Sequence, residues 1–231
     1  MTAEQIIQSL KRKADPQKAR YKEAKFGIVA KHQLGIFHKD LNEMAREIPK
    51  DAELATELFD SGIYEGRLLC SKLFPPAQLT EPLMDRWTST FENWEVCDSF
   101  CMTVYARSPL AIPKAIEYST REPEFEKRAG FAIMAALCSA DKRAGNEVFD
   151  KFLTIIIRES DDNRLYVRKA VNWALRSIGK RNPDLKRKAL EIAEQIASRD
   201  TKSARWIAKD ALKELQKEGL RIANYPRKIY G

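Results

Sequence analysis

Helical patterning runs through almost the entire chain, and no segment shows the strict apolar and polar alternation that marks a β-strand. Thr2 and Gln5 have the spacing of a capping box for a first helix that ends near Lys13, and Pro16 opens a second helix. Short turns containing Pro, Gly, Asp or Asn separate the later helical segments, so the sequence predicts an all-α protein. The later helices are expected to start near Lys39, Asp51, Ile63, Ala77, Asn93, Ser108, Pro123, Gly145, Asn163, Pro183 and Thr201.

Four of the predicted helices share a pattern, an arginine near the start followed by small residues. They read EGRLLCSKL, EKRAGFAIMAAL, YVRKAVNWALRSI and SARWIAKDALKEL. Arg128 and Arg168 are 40 residues apart, and Arg168 and Arg205 are 37 apart. These intervals are close to the period of roughly 40 to 47 residues in HEAT and armadillo arrays. The interval of 61 residues from Arg67 to Arg128 indicates that one unit is degenerate.

This internal repeat predicts the architecture of the chain. We expect a single repeat domain over residues 1–231, in which HEAT-like antiparallel helix pairs stack into a curved α-solenoid. Equivalent helices of successive units line the concave surface of a solenoid, so the repeated arginines would line a concave basic groove. The alternative is that each arginine braces the neighbouring unit, and nothing beside Arg67 or Arg205 decides between the two roles.

The formal net charge is +8, and all of the excess lies in the second half of the chain. Residues 1–115 hold 16 basic and 16 acidic side chains, whereas residues 116–231 hold 25 and 17. A basic, uneven distribution fits a polyanionic partner, either nucleic acid or an acidic membrane surface, and a solvated face without a partner is the alternative. The short C-terminal tail NYPRKIYG (residues 224–231) has three open roles: clamping DNA, packing on the last repeat or remaining mobile.

The expected compartment is the cytoplasm. No apolar run approaches the roughly 18 to 20 residues of a membrane span. The expected partner is DNA and not a membrane. The N-terminus MTAEQIIQSLKRK carries charges where a signal peptide would carry its hydrophobic segment. The cysteines fall inside apolar helical patterns, which predicts reduced, buried thiols. They are Cys70, Cys97, Cys101 and Cys138.

Familiar enzyme motifs are absent from the sequence. It contains no Gly-rich phosphate loop, GxSxG elbow, HExxH pair or Cys/His zinc pattern. The two histidines, His32 and His38, lie far from the Cys97 and Cys101 pair, so we expect no metal site. We expect no cofactor and no histidine acid–base chemistry, and any catalysis would depend on carboxylates and electrostatics.

The stretch NWEVCDSF places Trp94 and Asp98 four residues apart, which is about 40° around a helix axis. Trp173 lies in a helix with a basic C-terminal end. Aromatic faces, a carboxylate and arginines on one basic surface are typical of a nucleic-acid site. Trp87 and Trp206 lie in ordinary amphipathic patterns and are expected to pack. The stripe beside Trp94 and Asp98 that we expect to face the core is Val96, Cys97, Phe100 and Val104.

Three segments of the sequence, NWEVCDSF, EKRAGFAIM and VRKAVNWALRSIGKRNPD, resemble the conserved segments of the bacterial DNA alkylation-repair glycosylases of the AlkD family. The resemblance extends weakly to KARYKEAKFGIVAKHQLGI and spans about residues 15–220. Members of that family consist of HEAT-like repeats and excise positively charged N3- and N7-alkylpurines from DNA. The resemblance therefore implies a monofunctional 3-methyladenine/7-methylguanine-type glycosylase. It would act on alkylated duplex DNA as a monomer, without a metal or cofactor.

The resemblance also implies roles for individual residues. Trp94, Asp98, Arg128 and Trp173 would form the catalytic cleft, and Asn93 stands where some members have a further aromatic residue. Two other functions remain open: a non-catalytic HEAT-like protein that binds distorted or branched DNA, and a helical-repeat scaffold for an acidic protein partner. The residues expected to hold the DNA backbone without regard to sequence are Arg168, Lys169, Arg176, Lys180 and Arg181.

Overall fold

The computed structural model describes all 231 residues as fourteen α-helices and two short 3-10 helices, with no β-strand, which confirms the all-α prediction. None of the helices combines the length and the apolar character that a membrane span requires. The 3-10 helices are Pro76–Gln78 and Tyr105–Arg107. The α-helices are α1 (Ala3–Arg12), α2 (Pro16–Phe26), α3 (His38–Arg46), α4 (Ala52–Asp60), α5 (Tyr64–Leu73), α6 (Glu81–Thr88), α7 (Trp94–Thr103), α8 (Ala111–Tyr118), α9 (Glu124–Ala140), α10 (Asn146–Glu159), α11 (Leu165–Gly179), α12 (Pro183–Ala197), α13 (Lys202–Leu215) and α14 (Arg227–Tyr230).

Most helices start where the turn residues of the sequence predict. The Thr2 hydroxyl accepts a hydrogen bond from the backbone N–H of Gln5, and the Gln5 side chain accepts one from the N–H of Thr2, so the predicted capping box is present. Side chains also cap α4, α7 and α13, because an Asp, Asn or Thr oxygen accepts a free N–H of the first turn. The three caps are Asp51, Asn93 and Thr201.

Two helices start later than the sequence predicts, each because a 3-10 turn comes first. The residues Pro76–Gln78 form such a turn, and α6 then starts at Glu81 instead of Ala77. The Ser108 hydroxyl donates a hydrogen bond to the Tyr105 carbonyl, which closes the turn before α8.

The chain forms two compact units, the N-terminal unit (residues 1–108) and the C-terminal unit (residues 109–231). The division falls close to residue 115, where the charge distribution changes. Within these two units the helices pack as described below, and the single repeat domain over residues 1–231 stays a prediction.

The core of the N-terminal unit is aromatic. Trp87 is completely buried, and its ring centroid lies 5.3 Å from that of Phe59, 4.9 Å from Phe74 and 5.2 Å from Phe100. Ring pairs at such separations add to the area that each ring buries. The packing role predicted for Trp87 is therefore confirmed. The stripe of α7 predicted to face the core is also completely buried, at Val96, Cys97, Phe100 and Val104.

The C-terminal unit consists of two rows of helices. In one row α9 packs on α11 and α11 on α13, and in the other α8 packs on α10 and α10 on α12. Each helix of the second row also packs on the helix that follows it in the chain. This arrangement of stacked helix pairs is the one that the repeated sequence segments predict.

Polar contacts between repeats recur at one sequence separation. In each of five hydrogen-bonded pairs the two residues lie 38 positions apart in the chain. This separation equals the helix-pair repeat, because it joins equivalent positions of successive pairs, and it lies between the intervals of 37 and 40 residues read from the arginines. The pairs are Arg128–Tyr166, Asn172–Asp210, Arg176–Glu214, Lys188–Asp150 and Arg199–Asp161.

All four cysteines are buried free thiols, as their apolar surroundings predict. Burial raises the pKa of the Cys70 and Cys138 thiols, because a thiolate is poorly solvated there. Thiols of this kind are unreactive packing groups.

Candidate nucleic-acid site

Asn93 fixes the start of α7. Its side-chain oxygen accepts hydrogen bonds from the backbone N–H groups of Glu95 and Val96, at 3.0 and 3.2 Å, and lies 3.0 Å from the Tyr64 hydroxyl oxygen. Its amide group donates to the carbonyl of Val29 at 3.1 Å. Where some members of the resembling family carry an aromatic residue, this chain has a buried helix cap that sets the direction of the first turn.

Trp94 is held by its polar edge. Its indole N–H donates a hydrogen bond of 2.9 Å to the carbonyl of Phe26, the last residue of α2, while the side chain stays partly exposed. A hydrogen bond from the ring nitrogen removes rotational freedom from a side chain that already has only two torsions. The Trp94 ring is therefore a fixed aromatic surface at the beginning of α7.

Asp98 follows Trp94 by one turn of α7 and is also partly exposed, whereas the four predicted core residues of this helix are completely buried. The structure thus places Trp94 and Asp98 together on the edge of α7 beside the core, as the spacing predicts. An aromatic surface and a carboxylate one turn apart can face a cationic group at the same time.

A buried polar network lies under the first turn of α7, and sequence reasoning missed it. Glu95 is 6% exposed, and its carboxylate lies 2.8 Å from the ammonium of Lys22, which is 1% exposed. The Tyr64 hydroxyl donates to the same carboxylate at 2.8 Å, and His38 Nε2 lies 3.4 Å from it. The network links α2, α3 and α5 to α7. Because Lys22 lies in the last turns of α2, the network also fixes the end of α2, where Phe26 accepts the Trp94 hydrogen bond.

Burial and the charge of Glu95 shift the ionisation of this network. Burial chiefly, with help from the Glu95 carboxylate, raises the pKa of the Tyr64 hydroxyl. Burial also lowers the pKa of His38, and the Lys72 ammonium acts in the same direction against Glu95. No sequence signal pointed to Glu95, because an acid in the first turn of a helix is ordinarily a solvated residue that favours the helix dipole.

Arg128 lies in α9 and is 6% exposed. Its Nη1 donates a hydrogen bond of 2.7 Å to the carbonyl of Tyr166, in the first turn of α11, and the Tyr166 N–H donates to Glu124 at 3.0 Å. Arg128 therefore ties α9 to α11. Tyr166 precedes Trp173 by two helical turns, so the contact lies about 10 Å along α11 from Trp173.

One face of α11 and the residue that caps its C-terminal end carry four of the predicted site residues. Lys169, Trp173 and Arg176 lie within about 60° around the helix, and the cap Lys180 follows Arg176 by four residues. All four side chains are at least partly exposed. We call these residues the α11 stripe. Glu214 of α13 pairs with both Arg176 and Lys180, so part of the positive charge of the stripe is neutralised.

Arg168 lies beside the α11 stripe and contacts the next repeat. Its guanidinium carbon lies 5.3 Å from the centroid of the Trp206 ring on α13, a distance at which a cation interacts with an aromatic face. Trp206 is 36% exposed, so the prediction that it packs in the core is wrong. The physical reason is that the Trp206 ring lies at the surface of α13, where its contact is the charged guanidinium of Arg168 on α11.

Arg181 is not placed to hold DNA, which corrects the prediction from sequence. It is 1% exposed, and its guanidinium donates to the carbonyls of Cys138, Asp141 and Ala144 at 2.6, 2.8 and 2.8 Å. Its guanidinium carbon also lies 4.3 Å from the ring centroid of Phe149. Burial lowers the pKa of Arg181, and a guanidinium committed to three carbonyls is a structural brace.

The structure shows the polar contacts of the two arginines whose role the sequence left open, Arg67 and Arg205. Arg67 donates to Glu92 and to Thr90 within the N-terminal unit, at 2.9 to 3.0 Å, so it braces its neighbours. Arg205 pairs with Asp200 on the surface. The structure brings Trp94 to Asp98 in one unit and Arg128 to α11 in the other. The convergence of all four residues on one cleft stays a prediction.

The chain belongs to the DNA alkylation repair enzyme family, whose model matches residues 6–215. All four residues of the predicted cleft lie inside the matched range, and the last 16 residues of the chain lie outside it. No curated protein sequence matches the chain.

A solved structure that represents "a new family of proteins related to the HEAT-like repeat DNA glycosylases with affinity for branched DNA structures" is similar to this chain. The TM-score is 0.79, the sequences are 20% identical, and the similarity covers 96% of this chain and 97% of that one. At this identity the similarity establishes the fold, so the HEAT-like repeat class is confirmed.

Proposed function

We propose that this protein hydrolyses the N-glycosidic bond of cationic N3- and N7-alkylpurines in duplex DNA. Membership of a DNA alkylation repair family supports a role in repair. The observation that carries the catalytic part is the edge of α7, where a hydrogen-bonded indole and a carboxylate stand one turn apart.

The proposed chemistry suits a site without histidine or metal. An alkylated N3 or N7 gives the purine a positive charge, so the base leaves without protonation. The costly step is the positive charge that develops on the deoxyribose, as in the oxocarbenium-like states of glycoside hydrolysis. A carboxylate near C1′ stabilises this charge and orients the attacking water, and Asp98 is the carboxylate we assign to that role. One such group contributes about 3 to 4 kcal/mol in the transition state.

The other residues of the proposed site bind the nucleotide. The faces of Trp94 and Trp173 would pack against the sugar and exclude water, and each would favour a cationic sugar by about 0.5 to 2 kcal/mol. Arg128 would contact a phosphate beside the lesion, and the cations of the α11 stripe would hold the backbone without regard to sequence. The proposal requires these residues of both units to meet at one lesion.

The substitution Asp98→Asn tests the proposal. The variant keeps the shape of the side chain and removes its charge, so we expect release of 7-methylguanine from methylated duplex to fall about 100- to 1000-fold. Affinity for the duplex is expected to change little. The matched control is Asp60→Asn, which removes a surface carboxylate that pairs with Arg86 in the same unit. Equal release by Asp98→Asn and the wild type would remove Asp98 from its role.

A second candidate function is binding of branched DNA without excision. The observation that favours it is the similar solved structure, whose family has affinity for branched DNA structures. A competition between a four-way junction and an undamaged duplex, together with the base-release assay, separates the two candidates. A wild-type protein that prefers the junction and releases no base from methylated DNA would support binding alone.

A further inference from the structure

The C-terminal segment and the loop after α9 line an open pocket of about 660 Å³. We call it the tail pocket. One wall is Lys142 and Arg143 of the loop, and the other is Arg227 and Lys228 of the tail, with Tyr225 and Pro226 between them. A second cavity of about 750 Å³ adjoins it along the tail and reaches Lys180, the last residue of the α11 stripe.

The cations of the tail pocket are not neutralised by the protein. Lys142, Arg143, Arg227 and Lys228 are exposed, and none of them forms an ion pair with a carboxylate. The Tyr225 ring lies between the walls, 5.6 Å from the Lys142 ammonium and 5.8 Å from the Arg227 guanidinium carbon. The cations of the α11 stripe differ, since Arg176 and Lys180 share Glu214. Four unpaired cations around one cavity favour an anionic ligand.

Buried Arg181 holds both walls of the tail pocket. Its guanidinium binds three carbonyls of the α9 end and the loop that carries Lys142 and Arg143. Its own carbonyl accepts a hydrogen bond of 3.0 Å from the N–H of Tyr225, and the amide of Asn182 donates to the Tyr225 carbonyl at 2.7 Å. The pocket is therefore built into the fold, and its cations need no reorganisation of the backbone to meet a ligand.

The end of the tail is also fixed. The Tyr230 hydroxyl accepts a hydrogen bond of 2.8 Å from Asn146 at the start of α10 and donates one to Asp184 in α12. The tail therefore packs on the last helix pairs, which is one of the three roles that the sequence left open, and this packing is compatible with a contact to DNA. The tail also lies outside the residues that match the family.

We propose that the tail pocket binds the sugar–phosphate backbone of DNA, as a contact additional to the α11 stripe. Lys180 caps the C-terminal end of α11, about 10 Å along the helix from Trp173, and the second cavity, which adjoins the tail pocket, is lined by Lys180. A DNA backbone that runs along the α11 stripe toward Lys180 would therefore reach the tail pocket. Flexible Lys and Arg side chains donate to phosphate oxygens, which are the same at every base pair, so we expect this contact to be independent of base sequence. The inference does not rest on base excision.

The test measures binding of an undamaged duplex over a range of salt concentrations. The double variants Arg227→Gln with Lys228→Gln and Lys142→Gln with Arg143→Gln each remove one wall. The matched control is Lys151→Gln with Arg158→Gln, which removes two cations from α10 in the other row of helices. We expect each wall variant to bind about tenfold more weakly at low salt and to lower the salt slope by about 2, with the control unchanged.

Each outcome decides the proposal. Wall variants that bind duplex like the α10 control overturn it. Ile229 in the tail is 71% exposed, so binding to vesicles that contain anionic lipid is measured in parallel. Loss of vesicle binding with unchanged duplex binding would assign the pocket to a membrane surface and overturn the DNA contact. Since undamaged duplex is the probe, absence of base release by the wild type would defeat the proposed glycosylase activity and leave this contact intact.

Discussion

The indole N–H of Trp94 donates a hydrogen bond of 2.9 Å to the carbonyl of Phe26, which ties the first residue of α7 to the last residue of α2. The start of α7 is also fixed by the Asn93 cap and by the ion pair between Glu95 and Lys22. The proposed catalytic edge is thus supported by one local cap and by two contacts between residues that are distant in the sequence, Trp94 with Phe26 and Glu95 with Lys22.

Trp94→Phe keeps an aromatic ring and removes the hydrogen bond to Phe26. We expect a loss of about 0.5 to 1.5 kcal/mol in the free energy of unfolding, measured with urea, because one intramolecular hydrogen bond is lost. Base release is expected to fall with it, since the ring is no longer fixed. Trp206→Phe is the control, because that ring lies at the surface of α13. Equal release and stability in Trp94→Phe and the wild type would contradict a positioning role for the indole N–H.

Glu95→Gln leaves the buried ammonium of Lys22 without a counter-charge. We expect it to lower the free energy of unfolding by about 3 to 5 kcal/mol, the usual cost of breaking a buried ion pair from one side. Adding Lys22→Met removes the isolated charge, so the double variant is expected to be more stable than Glu95→Gln alone. Urea unfolding measures both, with the exposed Glu53→Gln as control. If the change in unfolding free energy of the double variant equals the sum of the changes in Glu95→Gln and in Lys22→Met alone, Glu95 and Lys22 are not coupled.

Arg128→Ala removes the donor to the Tyr166 carbonyl and the proposed phosphate contact. We expect lower stability, weaker duplex binding and slower excision, and a salt slope reduced by about 1 if Arg128 contacts a phosphate. Lys188→Ala is the matched control, because Lys188 also braces two helix pairs through Asp150. A variant with reduced stability but an unchanged salt slope would leave Arg128 with the bracing role only.

The pH dependence of stability should show the pairing of Glu214. Burial alone would raise the pKa of this carboxyl, but hydrogen bonds from Lys180 and Arg176 hold the pKa below its ordinary value of 4.5. Because the folded pKa lies below the unfolded one, the stabilisation is present above pH 4.5 and is lost as the pH falls through the folded pKa. The stability difference between wild type and Glu214→Gln should therefore shrink as urea unfolding is repeated from pH 6 to pH 3.

The same substitution, Glu214→Gln, should increase DNA affinity. The change removes the carboxylate shared by Arg176 and Lys180, so Lys180 loses its carboxylate partner and Arg176 keeps only the longer contact of 3.5 Å with Asp210. More positive charge of the α11 stripe is then available for phosphates. We expect several-fold tighter binding of an undamaged duplex at low salt, with the gain disappearing as salt screens the contact. Glu191→Gln on α12, which removes a carboxylate paired with Arg187, is the control. Unchanged or weaker binding by Glu214→Gln would count against the stripe as a DNA contact.

Local pattern predicted much of the fold and the edge of the proposed site. Apolar periodicity placed Trp94 and Asp98 beside the core, and the arginine intervals anticipated the spacing of 38 residues between repeats. Both signals depend on neighbouring residues of one helix or on equivalent positions of the repeat. The buried carboxylate of Glu95 gave no such signal, because its partner Lys22 lies in a different part of the chain.

The exposure of basic side chains is the property that the sequence predicts least well. In the sequence Lys180 and Arg181 are adjacent cations with the same predicted role, but one is partly exposed beside the tail cavity and the other is buried under the tail. Both residues follow Gly179, the last residue of α11, and lie in the turn after the helix, where helical periodicity no longer predicts the side-chain direction. Which of two neighbouring arginines or lysines meets solvent therefore depends on what packs against the helix end.

The sequence by itself determined the helices, the repeat, the basic second half and the edge of α7, because these follow from local periodicity, turn chemistry and charge. Only the tertiary structure decided that Arg181 braces a loop, that Glu95 is buried with Lys22, and that the tail forms a wall of a cationic pocket. Those facts depend on contacts between residues far apart in the chain. Burial then determines whether a charge is paired inside the protein or remains available to a partner.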